Sequence, residues 1–262
     1  MKYSSQEIDK VNDLKDRLLH TCTVCHGRGH LISGNDVIPC QCVKIYRYLY
    51  KLILARVSTS YWTLYYKTLK VSDSYKKLLH TYFQNFESAI AQGLGIAFLG
   101  PNGVGKTSMA CEVAKYAIAS RNHKVLYITA EQYITALTSD LNLVEAAQSC
   151  AVLILDEIDK PYIKSNSLYV PQKIEDLLRS CFSRNQVVIT CANSTEDELK
   201  ELYGDSLISA MKRYLKLVPI SGEDLSEQVH DRWTELLRSD VDFYNENVVR
   251  YAELLYQNCY AE

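Results

Sequence analysis

At 262 residues, 47% hydrophobic and 23% charged, the chain has the make-up of a globular protein with one full catalytic domain and a small appendage, or two small domains. That composition excludes disorder and low-complexity fibre. The net charge of −2 conceals a gradient: residues 1–90 carry thirteen Lys/Arg against seven Asp/Glu, and residues 221–262 carry three against ten. A basic first third suits an anionic partner, while the acidic tail suits solvent or a basic surface.

In chain order, residues 5–20 read as a helix with Ile8, Val11, Leu14 and Leu18 on one stripe. A cysteine-bearing loop, 21–42, follows, then helices over 43–57 and 72–92. Apolar strands then alternate with helices: strand 96–99, helix 106–120, strand 124–129, helical stretches over 130–148, strand 151–155 and helix 171–183. Strand 187–190, helices 195–203 and 206–213, and strand 215–219 complete the series. The tail 223–258 reads as two helices, with Tyr244, Val248, Tyr251 and Leu255 at heptad-like spacing. The alternation predicts an α/β fold, a parallel sheet covered by helices on both faces. No apolar run approaches the ~18 residues a membrane-spanning helix needs. The charged N-terminus has no apolar signal core, so a cytoplasmic protein without membrane contact is expected.

The motif Gly100-Pro101-Asn102-Gly103-Val104-Gly105-Lys106-Thr107, followed by Ser108, is a complete Walker A sequence between a strand and a helix. Its glycines let backbone N–H groups converge on phosphate oxygens, and the helix directs its positive end at them. Lys106 is expected to reach the β/γ-phosphates of ATP, and Thr107 to ligate Mg2+. Fifty residues on, an apolar strand ends in Asp156 and Glu157, suited to hold the magnesium shell and to polarise an attacking water. Asn193, past the next strand, could bond that water or the γ-phosphate, or could cap the following helix, a task Ser194 or Thr195 could also perform.

Nine cysteines in a chain without a secretion signal point to metal binding or plain burial. Cys22-Thr-Val-Cys25 and Cys40-Gln-Cys42 bracket fourteen residues of a polar, glycine-containing loop, a pattern for one tetrahedral Zn2+. His20, His26 or His30 could replace one thiolate. The first pair with Gly27 and Gly29 resembles half of the zinc motif of DnaJ-type chaperones, of which only this one unit occurs. The other cysteines fall on expected core elements.

Walker A, Walker B with an adjacent Glu and a polar residue on the next strand together resemble the AAA+ ATPases. The chain is more closely similar to DnaC/DnaI-type replicative helicase loaders and their IstB-like relatives, phage versions included. The similarity covers roughly residues 55–225, with looser matches at 207–211 and 221–224. It implies a P-loop (AAA+/ASCE) sheet over 76–220, preceded by a zinc-binding, helicase-interacting module at 1–54 and a linker at 55–75, and followed by a helical tail at 221–262. It further implies an ATPase that self-associates into a ring or spiral and loads a hexameric helicase onto single-stranded DNA. DnaI-like loaders carry an N-terminal zinc module; an IstB-like transposition helper and a non-hydrolysing adaptor are the alternatives. The family's trans-acting arginine finger falls at Ala210 here, which leaves Arg213 as the expected substitute, with Arg179 and Arg184 behind it. Arg232 is the candidate sensor arginine. For DNA, residues 44–77 combine eight Lys/Arg with eight aromatics, including Tyr61, Trp62, Tyr65 and Tyr66, which could instead pack on the ATPase core. The loop 160–171, with Lys160, Tyr162, Lys164 and Tyr169, is the second candidate.

Overall fold

The computed structural model describes residues 22–160 and 169–225, except 63 and 68, with scattered positions between 9 and 20. The expected helix 5–20 therefore falls largely outside the described residues, as do most of the loop 160–171, Arg232 and the tail beyond Leu225.

Within the segment expected as a loop, β1 (His30–Ser33) and β2 (Asp36–Pro39) pair antiparallel as a hairpin. Gly34 takes φ 62° at the first of the two turn positions, where such tight turns favour glycine. Then come α1 (Gln41–Leu54), α2 (Asp73–Gln84) and α3 (Phe86–Gln92). The single helix expected over 72–92 breaks at Asn85, which closes α2 and opens α3.

The larger sheet comprises β3 (Gly95–Leu99), β4 (Val125–Thr129), β5 (Val152–Asp156), β6 (Val187–Ala192) and β7 (Leu215–Pro219). Its order is β4–β5–β6–β3–β7 and every pairing is parallel. The strands are joined by α4 (Lys106–Arg121), α5 (Ala130–Ser139), α6 (Leu141–Ser149), α7 (Tyr169–Ser183) and α8 (Glu196–Tyr214). β3, β5 and β6 are buried at every residue, as strands covered on both faces must be. Alternate residues feed two cores. Phe98, Ile154 and Ile189 meet α1, α2, α3 and α4, whereas Leu99, Leu155 and Val188 meet α5, α7 and α8. The two helices expected over 195–213 form α8, broken at Gly204 (φ 79°, ψ 164°).

The expected boundary between residues 54 and 55 crosses one continuous core. Ile45, Leu49 and Leu52 on α1 share a cluster with Val57, Trp62, Phe98 and Ala114. The aromatic run 61–66 serves that packing too: Trp62 and Tyr66 are buried, and Tyr61 and Tyr65 pack against the cluster. A buried ion pair on α4 holds this segment in place. Lys115, 1% exposed, contacts Glu112 and donates to the carbonyls of Tyr61 and Leu64. Lys115→Met leaves the Glu112 carboxylate buried without its partner, and should cost about 3–5 kcal/mol of stability in thermal or denaturant unfolding.

Candidate functional site

Parallel register brings the functional residues to one edge. Leu99 pairs with Ala192 and Leu155 with Thr190, so the residues that follow these strands emerge side by side at their C-terminal ends. A cavity of about 320 Å³ opens there, lined by Asn102, Gly103, Gly105, Lys106, Thr107, Ser108, Asp156, Glu157 and Asn193. Among the described positions, the expected phosphate, metal, water and polar-sensor residues thus share one space.

Lys106 opens α4 and its ammonium donates to Gly100 O at 2.8 Å and Pro101 O at 2.5 Å, which ties its head across the loop. Burial lowers its pKa, against the pull of nearby negative groups that include Asp159 and Asp156. Gly100 (φ 146°) passes so close to Ile220 that a Cβ would lie 2.0 Å from its carbonyl oxygen. Ile220 N donates to Leu99 O and Leu225 N to Gly103 O, so the segment after β7 lies over the phosphate loop.

Asp156 accepts three hydrogen bonds. Thr107 Oγ1 at 2.9 Å and Tyr127 Oη at 2.7 Å reach Oδ2, and Glu157 N at 2.8 Å reaches Oδ1. The Thr107–Asp156 contact places a hydroxyl and a carboxylate as adjacent hard oxygen donors, a pairing that fits Mg2+. Burial and the Asp156 charge push the Tyr127 phenol far above its ordinary pKa, so it stays protonated and donates to Asp156. Glu157 sits at φ 56°, a left-handed conformation that costs a non-glycine residue about 1–2 kcal/mol, and is ion-paired with Lys160.

Asn193 N donates to buried Asp159 Oδ2 at 2.9 Å, and Ser194 Oγ donates to the same oxygen. Thr195, not Asn193, caps α8, in a reciprocal box with Glu198. The Asn193 side chain is therefore left to line the cavity. Tyr127, Asp159 and Ser60 went unnoticed in the sequence, and Tyr61 and Lys160 were singled out there only as DNA-contact candidates; Ser60 and Tyr61 also line the cavity. Only the approach of distant segments reveals them, although Asp159 and Lys160 do follow directly on the Walker B acids.

Arg213 lies in the last turn of α8, away from this cavity. It is exposed and has no hydrogen bond or ion pair among the described residues. Arg179, by contrast, donates to Glu175 at 2.7 Å and to Ser206 at 2.9 Å. Ala210 packs on the core beside α7 and β7.

The four paired cysteines come together. Their Sγ atoms all lie within 4.8 Å of one another, with Cys22–Cys40 at 3.8 Å and Cys25–Cys42 at 3.5 Å. Those separations are far beyond the ~2.05 Å of a disulfide, and match the edge of a tetrahedron with metal–sulfur bonds of about 2.3 Å. Positive φ at His26, Gly27 and Gly29 folds the chain back so that Gly29 N donates to Cys25 Sγ at 3.2 Å. Burial opposes ionisation of Cys25, but this bond and the neighbouring thiols outweigh it and bring the thiol down to about 6. His30 Nδ1 is engaged with Arg28 O, and no histidine joins the four thiols among the described residues. The donor set fits zinc. Purified protein is expected to carry one zinc per chain by elemental analysis and to lose it, with four thiols becoming titratable, on chelation; metal-free protein with freely titrating thiols contradicts this.

A strand–phosphate loop–helix unit at the C-terminal ends of the strands of a five-stranded parallel sheet defines a P-loop nucleotide-binding fold of the AAA kind. Residues 96–214 match the family model described as ATPase family associated with various cellular activities (AAA). No curated protein matches the sequence. Among solved structures, the chain resembles the DnaC helicase loader at 16% identity and TM-score 0.55, over 63% of this chain and 100% of that one. DnaI aligns at 15% identity and TM-score 0.51, over 64% and 93%. Domain III of the Thermotoga maritima replication initiation protein DnaA aligns at 15% identity and TM-score 0.52, over 78% and 92%. At these identities the likeness is one of fold. No helix among the described residues is long and apolar enough to cross a membrane.

Proposed function

We propose that the protein is an ATP-dependent loader of a hexameric replicative helicase onto single-stranded DNA, acting as a ring or spiral of subunits that hydrolyse ATP at their interfaces. The observation that carries this reading is the meeting of Lys106, Thr107, Asp156, Glu157 and Asn193 in one cavity, in a chain that also gathers four cysteines beside its first helix. The phosphate loop and Lys106 bind the triphosphate, while Thr107 and Asp156 hold magnesium, which neutralises phosphate charge when bound. Tyr127 keeps Asp156 aimed at Thr107. Glu157 polarises the attacking water once it leaves Lys160, and Asn193 orients that water or the γ-phosphate. Arg213 projects from α8 into the site of a neighbouring subunit and neutralises the charge that develops there.

Glu157 in the cavity favours turnover over a non-hydrolysing adaptor. The four-thiol cluster favours a loader over an IstB-like transposition helper. The cysteine module is the helicase-gripping part. A pull-down against hexameric replicative helicases, with and without ATP, tests the reading. Capture that depends on the intact cysteine module is expected, and no capture of any such helicase opposes it.

A further inference from the structure

The nucleotide cavity occupies the C-terminal edge of the sheet, and a second feature occupies the opposite edge. There α1 lies against α4 and borders two adjoining cavities, of about 640 Å³ and 240 Å³, which share Lys51, Ile118 and Asn122. Lys44, Arg47 and Lys51 follow one another at i, i+3 and i+7 and form a stripe along this groove. Lys124, exposed, stands in the wall of the larger cavity.

These four cations are unanswered. Among the described residues none has an ion pair or a side-chain hydrogen bond, and Glu145, the acid in the groove wall, pairs with none of them. Burial and, after it, the adjacent Arg47 charge lower the pKa of Lys51. The C-terminus of α4, capped by Asn122, could attract one of them, but a helix end carries only about half a negative charge. On the same helix, Tyr46 and Tyr50 are half-buried and stack on each other, centroids 5.9 Å apart at 28°, with Tyr46 also packed against the core and Tyr50 outside that cluster.

We infer that this face binds single-stranded nucleic acid, with phosphates along Lys44, Arg47, Lys51 and Lys124 and bases against the Tyr46–Tyr50 pair, at a site separate from the nucleotide cavity. Cations alone would suit any polyanion; the adjoining rings select a strand with unpaired bases, because every base has a face to stack. The choice of polymer rests on the loader reading, whereas the location rests on the groove. It narrows the 44–77 segment singled out in the sequence to its first part, on α1, since residues 61–66 are consumed by the core.

Fluorescence anisotropy of a labelled oligothymidylate, with the full chain titrated at several salt concentrations, tests the assignment. The Arg47→Glu/Lys51→Glu double variant should bind at least ten-fold more weakly. The slope of log affinity against log salt should fall by about 1.4, roughly 0.7 for each lost phosphate contact. Tyr50→Ala should weaken binding several-fold and leave the slope unchanged, a split that a merely structural role would not produce. Retained nucleotide binding and ATP turnover certify that the variants are folded. If the parent binds DNA and the double variant binds equally well, the site lies elsewhere; this inference falls and the loader reading stands. If the double variant instead loses affinity for a peptide of residues 221–262 while keeping oligothymidylate, the groove belongs to the acidic tail and the inference is overturned. A parent that binds no oligothymidylate overturns it as well, and loss of helicase capture separately marks failure of the loader reading.

Discussion

Glu157→Gln will bind ATP as tightly as the parent protein and hydrolyse it 10²- to 10⁴-fold more slowly, the range a positioned general base contributes. Affinity survives because the phosphate contacts come from the loop backbone, Lys106 and Thr107, none of which the substitution touches. Turnover fails because a neutral amide cannot draw a proton from water. Glutamine is isosteric and can still accept a bond from Lys160, so the left-handed turn at 157 keeps its geometry. Lys106→Ala should behave oppositely and lose nucleotide binding first. Equilibrium binding of a labelled nucleotide beside phosphate release separates the two variants, and a Glu157→Gln protein that turns over like its parent would remove that residue from the mechanism.

Arg213→Ala should lower turnover on the order of 10³-fold or more while monomer nucleotide affinity stays nearly intact, as for loss of an arginine finger. The position suits the role: the side chain lies in the last turn of a helix, is exposed and has no partner among the described residues, whereas Lys212 beside it pairs with Glu196 at 2.5 Å. A finger acts across an interface, so mixing supplies the decisive control. Arg213→Ala and Glu157→Gln subunits, each inactive alone, should regain hydrolysis only where an intact Glu157 faces an intact Arg213. Full activity of Arg213→Ala with DNA and helicase present would move the role to Arg184, and a silent Arg184 would favour the adaptor.

The parallel sheet was legible because β3, β5 and β6 are short, mainly apolar runs, and their alternation with helices admits few other folds. The Walker positions were legible because their spacing is local. The hairpin β1–β2 was not, since its strands are four residues long and seven of the eight positions carry exposed polar or apolar side chains without a burial pattern to betray them. Nor was the fusion of α1 with the core, because a helix with Ile45, Leu49 and Leu52 on one face does not say against what that face is buried. Tyr127 is the sharpest case. Nothing near it in sequence marks a site residue, and only the pairing of β4 with β5 brings its phenol to Asp156. Contacts between distant segments are what a linear pattern cannot carry.

The most direct test of the loader reading is unwinding of a forked DNA whose single strand is already coated with single-strand-binding protein, by a hexameric replicative helicase supplied with and without this protein. Unwinding that requires the protein, ATP, Glu157 and the four cysteines is the predicted result; a helicase that starts equally well without it, or that it never binds, would contradict the account.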